Sequence, residues 1–438
     1  MRQHFLTLCL LCTIQASAAT EGDTTAMTAW DCIRYAIVHS HDLRQRELQL
    51  DNTEANRLQA IGAFLPSLGA SASAQLNFGR AIDPETNTYT NVNTAGTGYG
   101  LSGSMPVFDG MYQLHALKAA KADVLMQKSA LQAERDQMVL TTYQAFVSLL
   151  YAREAKWLAA EKLRDSELLL QQARVMEEEG LKSPADVAQV QAQRAADALL
   201  LTQQENQEEL ALLKLKEVMN WPLAEPLSIA SAEADGPERL SDTGGPGGSA
   251  ALQLQAHYAV ASARQNVGVA RASFYPTLSL SGGVNSSYYR NLGSSSSVGF
   301  RRQLKDNLGE WIGVSLNIPL FNRLGNLMTL RRAKNALRIA QEQEASKINE
   351  LEVLRRQAML EVEANTKEIC QASAKAEADS IAYKLVRQQF AEGLASPLEV
   401  QTSATTLLQS RADLLQKRLM RGLKLLQKRY YEGESLVP

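Results

Sequence analysis

The stretch EEGLKSPADV at residues 178–187 returns, lightly altered, as FAEGLASPLEV at 390–400. It does not return alone. FLPSLGASA (64–72) resembles FYPTLSLSG (274–282), with Pro66 matching Pro276, and MPVFDG (105–110) resembles IPLFNR (318–323), with Pro106 matching Pro319. Three landmarks recur in the same order at offsets of 210, 213 and 213 residues. The chain is a duplicated unit, so any fold proposed for one half must also be built by the other.

The repeated turn has a legible grammar. A run of helix formers ends at Glu179, and Gly180 can adopt the left-handed conformation that closes a helix. Leu181 can fold back on the preceding turn. Ser183 suits an N-cap, Pro184 the first position of a new helix, and Asp186 the third, where its carboxylate reaches orphan N–H groups. Gly393, Leu394, Ser396, Pro397 and Glu399 repeat that order. Each copy is a tight reversal between two helices.

Between the landmarks the hydrophobic period switches to two. From Ser67 to Gly79 the even positions are Leu68, Ala70, Ala72, Ala74, Leu76 and Phe78, and the odd ones are Ser, Gly, Gln or Asn. That is a strand with one apolar and one polar face. Tyr99, Leu101, Met105 and Val107 continue the pattern on a return strand, as do Leu278, Leu280, Val284 and Tyr288. The last is Leu308, Ile312, Val314, Leu316, Ile318 and Leu320, where Glu310 and Trp311 break the alternation. Four strands are expected, over 67–80, 97–108, 277–290 and 308–321. They form two hairpins joined by polar loops around 81–96 and 291–307.

The remainder is helical. Asp109 to Glu179 and Arg323 to Glu392 are proline-free and rich in helix formers. The first would span roughly 107 Å. Shorter helices follow at 184–220 and 397–432, and others lead into the strands near 41–65 and 250–275. Two short helices stacked end to end match one long helix in length.

Residues 1–19 read as a secretory signal, with Arg2, an apolar run and small residues before the cleavage point. Leu11 precedes Cys12 where a lipoprotein cysteine requires a small residue, which argues against acylation. The first repeat then occupies 20–221, a Pro/Gly/Ser-rich flexible joint 222–250, and the second repeat 251–438. A formal net charge of −2 excludes a globally basic nucleic-acid binder. Cys32 and Cys370 offer neither a metal spacing nor a disulfide framework, and buried free thiols are expected. No stretch after the signal is apolar for 18 residues, but an exported chain can also enter a membrane as a closed barrel. Four strands cannot close one, so copies must assemble. Two copies would give a side-chain-filled interior, whereas three would leave a wet lumen, which small polar-face residues suit better.

At this point the residues resemble the TolC-type outer-membrane efflux proteins. The resemblance runs from AWDCIRYAI (29–37) through FLPSLGASA, GRAIDP (79–84), MPVFDG and EEGLKSPADV into the second repeat. It implies a mixed α and β fold, in which a homotrimer closes a 12-stranded barrel in outer-membrane lipid. A periplasmic barrel of antiparallel coiled-coil helices would hang below it. The assembly would be the exit duct for an inner-membrane transporter and its periplasmic adaptor protein, in tripartite efflux or type I secretion, and not an enzyme. The two turns would then lie farthest from the membrane, where the channel closes and the adaptor docks. By motif position Glu399 matches a family site whose acidic side chains constrict the entrance. A neighbouring family acid falls on Thr402, and Ala395 stands where the family pattern can hold a basic residue.

Other signals carry less. GYGLSG (98–103) has the spacing of a dinucleotide loop, but its glycines fall inside an expected strand. His39 and His41 cannot share a helix face. No cofactor, metal or catalytic grouping is visible, and no nucleic-acid partner is implied. The competing assignment is a periplasmic coiled-coil adaptor or other structural envelope protein without a channel. Such an adaptor would carry one hairpin beside compact β-domains, not four strands in a duplicated chain.

Overall fold

The computed structural model describes residues 26–83, 88–91, 93–230, 247–292 and 298–437. Residues 1–19, expected to be a signal, and most of the expected joint at 222–250 lie outside the described residues. Two helices of 67 residues dominate, α3 (Tyr112–Glu178) and α7 (Gly325–Ala391). Each is followed by a helix of 36 residues, α4 (Pro184–Met219) and α8 (Pro397–Glu432). Towards the sheet, α2 (His41–Gly62) and α5 (Gly248–Ala272) complete the stacking. Thus α7 packs against α8 over one part of its length and α5 over another, while α3 meets α4, α2 and α5. Ion pairs join these seams: Glu47–Arg135 at 3.2 Å, Glu208–Lys156 at 3.0 Å, and Glu368–Lys417 at 2.7 Å.

The sheet is fully antiparallel. Its strands β1 (Ser67–Asn77), β4 (Thr94–Phe108), β5 (Thr277–Asn291) and β6 (Gly309–Asn317) lie in that order. Register keeps the two faces distinct across all four strands. The row Leu68–Gly103–Gly282–Ile312 belongs to the apolar face, and the adjacent row Gly69–Ser102–Gly283–Trp311 to the small-residue face. GYGLSG lies within β4, so its glycines serve the sheet. Trp311 breaks the alternation of residue types but not the ladder. It holds register on the small-residue face, because Gly283 and Gly313 leave room for its ring: a Cβ on Gly283 would come within 3.0 Å of Trp311 Nε1. Glu310 takes the apolar face opposite Val284.

Other expectations need correction. β6 ends at Asn317, short of 321, just before Pro319, which has no N–H for the ladder. A short helix, α1 (Ala29–His39), precedes α2 and was not foreseen beyond its motif. Ser40 separates them by capping α2 through Leu43 N–H. The first polar loop contains a small hairpin, β2 (Arg80–Asp83) with β3 (Thr88–Asn91), and the second contains α6 (Phe300–Asp306). Helix α6 covers the part of β5 beyond the end of β6. There Gln303 accepts from Tyr289 N–H and donates to its carbonyl, both at 2.9 Å, as a neighbouring strand would.

Cys32 is buried in a core with Phe146, Leu149, Leu215 and Met219, and burial, followed by the nearby Asp31 charge, pushes its thiol up to about 12. Cys370 is exposed, against expectation, because no other helix among the described residues covers its side of α7. His39 stacks on Tyr35 with 3.9 Å between ring centres, and His41 Nε2 lies 3.0 Å from Asn220 Nδ2. Each histidine thus has an ordinary helix-end partner.

Candidate functional site at the hairpin tips

Both reversals adopt the expected conformation. Gly180 and Gly393 have φ of 75° and 79°, a region where a Cβ would strain the backbone. Past each glycine the chain turns back: Leu181 N–H donates to Met176 O at 2.7 Å, and Leu394 N–H to Gln389 O at 2.8 Å. It is the backbone that folds back. The Leu181 and Leu394 side chains remain 63% and 77% exposed, so two apolar residues project from the tips.

Reciprocal capping boxes start α4 and α8. Asp186 N–H donates to Ser183 Oγ at 3.2 Å, and Ser183 N–H donates to Asp186 Oδ2 at 3.0 Å. The matching distances for Glu399 and Ser396 are 3.3 Å and 2.7 Å. Pro184 and Pro397 occupy the first turn in each case. The backbone donors of Ser183 and Ser396 hold both carboxyls below their ordinary values of 3.8 and 4.5. A depressed folded pKa means the cap contributes above the ordinary carboxylate pKa and is lost as pH falls through the folded value. Amide exchange protection of the Ser183 and Ser396 N–H groups, which donate to these carboxylates, corrected for intrinsic rates, should hold from neutrality down past the ordinary carboxyl values of 3.8 and 4.5 and be lost only as pH falls further. Loss of protection near pH 6 would contradict this assignment.

The tips lie side by side. Phe390 is fully buried among Ala173, Met176, Val187, Val190 and Val400, which come from both hairpins. Lys182 crosses from the first tip to the second, donating to Ala395 O at 2.9 Å with Nζ 5.0 Å from the Phe390 ring centre. Lys182 was not foreseen, yet it had a signal. It occupies the repeat position of Ala395, so the basic residue missing from the second tip stands on the first. Glu399 and Thr402 are both exposed, one helical turn apart on α8. Thr402 Oγ donates to Leu398 O at 2.8 Å.

Above the tips, α3, α4, α7 and α8 enclose a cavity of about 60 Å³. Polar side chains bind its walls. Lys162 pairs with Asp197 at 3.0 Å, their side chains only 12% and 2% exposed. Asp197 also accepts from Ser166 Oγ and from Gln193 Nε2, the latter at 2.8 Å. Gln401 of α8 donates to Gln193, and Lys162 to Thr405 at 3.4 Å, so the layer joins the hairpins. Tyr383 donates to Asp165 at 3.3 Å. Burial and the Asp165 charge push its hydroxyl up to about 12, keeping it a donor at any physiological pH.

The profile of the family described as outer membrane efflux protein matches residues 32–220 and 250–424, most of the chain and both halves. This chain belongs to that family. Among solved structures, CusC aligns with a TM-score of 0.80 at 17% identity, covering 94% of this chain and 93% of its own. The outer-membrane channel OprN aligns at 0.79 and 18%, covering 94% and 91%. Identities this low establish the fold, which is that of outer-membrane channels with large periplasmic helical parts. Protein CyaE of Bordetella pertussis is 27% identical over 336 residues, which is 69% of this chain. The alignment spans 65% of CyaE's length. Membership of the outer membrane efflux protein family places this chain in the outer membrane, with its helices in the periplasm.

Proposed function

We propose that three copies of this chain close a 12-stranded barrel and form the exit duct of a tripartite efflux or type I secretion system. An inner-membrane pump would feed it through a periplasmic adaptor. The observation that carries this reading is the open sheet: among the described residues β1 and β6 each have a partner strand on one side only. Unpaired edges in hydrocarbon cost several kilocalories per mole for each unsatisfied group, so further copies must supply the missing partners. The helices support the same conclusion. Ile339, Val353 and Leu360 lie at heptad spacing on α7 and are 58%, 63% and 66% exposed. On α2, Leu48 and Leu58 are also exposed and suit a seam with the next copy.

In the trimer the tips would form a ring of six reversals. Glu399 and Thr402 are assigned to its entrance, and the exposed Leu181 and Leu394, with the turns that carry them, to adaptor docking. The bonds that cap α8 use Glu399 Oε2, leaving Oε1 for a cation. Native mass measurement in detergent should give a trimer, and a stable monomer would overturn the duct. In planar bilayers Glu399→Gln should lower cation selectivity and weaken block by divalent cations while the trimer persists, since glutamine can still serve the capping box. Unchanged selectivity and block in a folded trimer would reduce Glu399 to a cap.

A further inference from the structure

A strongly basic belt lies directly beneath the sheet. From Ser249 to Arg271 and from Asn322 to Gln341 the chain has no Asp or Glu, but it carries Arg264, Arg271, Arg323, Arg331, Arg332, Lys334 and Arg338. Lys118 and Lys121 add to it from the first turns of α3. Elsewhere on the long helices exposed cations commonly meet carboxylates, as Lys367 meets Glu363 and Lys375 meets Asp379. Among the described residues Lys118, Lys121, Arg264, Arg271, Arg331, Lys334 and Arg338 are all exposed and none has an ion-pair partner.

These side chains face one way. Helix α5 is wedged between α3 and α7 and touches α8 only lightly, which leaves it two sides that neither α3 nor α7 covers. One carries His257, Arg264 and Arg271 at seven-residue spacing. The other carries Gln255, Ala259 and Asn266, the same small neutral character as the lumenal face of the strands. On α7, Arg331, Lys334 and Arg338 share a stripe (i, i+3, i+7), about a quarter turn from the half-buried row Leu330, Ala333 and Leu337. Strand chirality identifies the side independently. Tyr289 has its side chain on the small-residue face and turns its N–H and C=O towards Gln303, on the β6 side. For an L-residue on a rising strand, those groups point right when viewed from its side-chain face. With the small-residue face lining the lumen, α3, α5 and α7 run clockwise seen from the loops. A right-handed helix in that order presents both basic stripes outwards.

The level matches a membrane interface. Exposed Phe64, Tyr112, Phe274, Tyr275 and Phe321 ring the junction of sheet and helices, where aromatic side chains anchor a barrel. Arg271 ends α5 at that junction, and Arg331 to Arg338 lie roughly 9–20 Å below the start of α7. Long side chains and a Debye length of about 8 Å bring this belt within reach of a headgroup layer.

We propose that the outward basic belt of α3, α5 and α7 binds anionic phospholipid headgroups of the periplasmic leaflet, fixing the depth and tilt of the channel. The inference uses the duct reading for which side of the helices is outward. Native mass spectra of the detergent-purified full chain, titrated with phosphatidylglycerol or phosphatidylethanolamine, test both and report them separately, since the same spectra give the trimer mass. Wild type should retain phosphatidylglycerol about tenfold over phosphatidylethanolamine, with the preference weakened by salt. The combined variant Arg271→Gln, Arg331→Gln, Lys334→Gln and Arg338→Gln should remain trimeric and lose the preference. Arg332→Gln, off the outward stripe, should keep it. Equal retention of the two lipids by wild type, or an undiminished preference in the combined variant, would overturn the proposal. Loss of adaptor binding with lipid preference intact would overturn it in favour of a protein partner.

Discussion

Replacing Asp136 by alanine should destabilise the chain by roughly 3–5 kcal/mol, because it strands several donors that are each worth about 1–3 kcal/mol when buried and unpaired. The carboxylate is wholly buried. It accepts from Gly248 N–H at 2.7 Å, Leu436 N–H at 2.8 Å and Gln132 Nε2 at 3.2 Å. One side chain of α3 therefore ties down the start of α5 and the tail that follows α8. Asp136→Asn retains one acceptor oxygen and should fall between the two. The measurement is the midpoint of chemical denaturation in detergent, together with proteolysis near Leu436, which should become faster. A wild-type midpoint for Asp136→Ala would show that the anchor is redundant.

The second large effect is expected from Lys162→Met. Asp197 would then be a buried carboxylate with no cation, which typically costs about 3–5 kcal/mol. Adding Asp197→Asn should recover most of that loss, because the amide oxygen still accepts from Ser166 and no charge is stranded. The recovery separates a paired-charge effect from simple loss of packing by the lysine stem. If the double variant is no more stable than the single one, packing explains the cost. The location gives the layer a further role: it holds α8 to the first hairpin through Thr405 and Gln401, so its rupture should also loosen the tips.

Some of this was readable before any coordinates. The strands were legible because two-fold alternation persists for ten residues or more, and the tips because glycine, serine, proline and acid each have one good place in a helix reversal. Helix α6 and the β2–β3 hairpin escaped because seven- and four-residue elements in Ser- and Thr-rich loops show too little periodicity. Lys162 and Asp197 look like solvated helix residues until two hairpins meet around them. Cys370 misled for the opposite reason: on α7 a residue type that favours burial falls on a side that no other helix among the described residues covers. The duct itself depended on a family resemblance as well as on edge chemistry, since alternation alone says nothing of what lies below the sheet.

The equal helices also make the molecule a ruler. Because α3 and α7 each have 67 residues, and α4 and α8 each have 36, the two reversals finish level. A heptad inserted into one hairpin alone would push its tip about 10 Å past the other, parting Lys182 from Ala395. The reach of the hairpins can therefore change only in matched steps, with both halves lengthening or shortening together. The two halves hold the same helix lengths even where their residues differ.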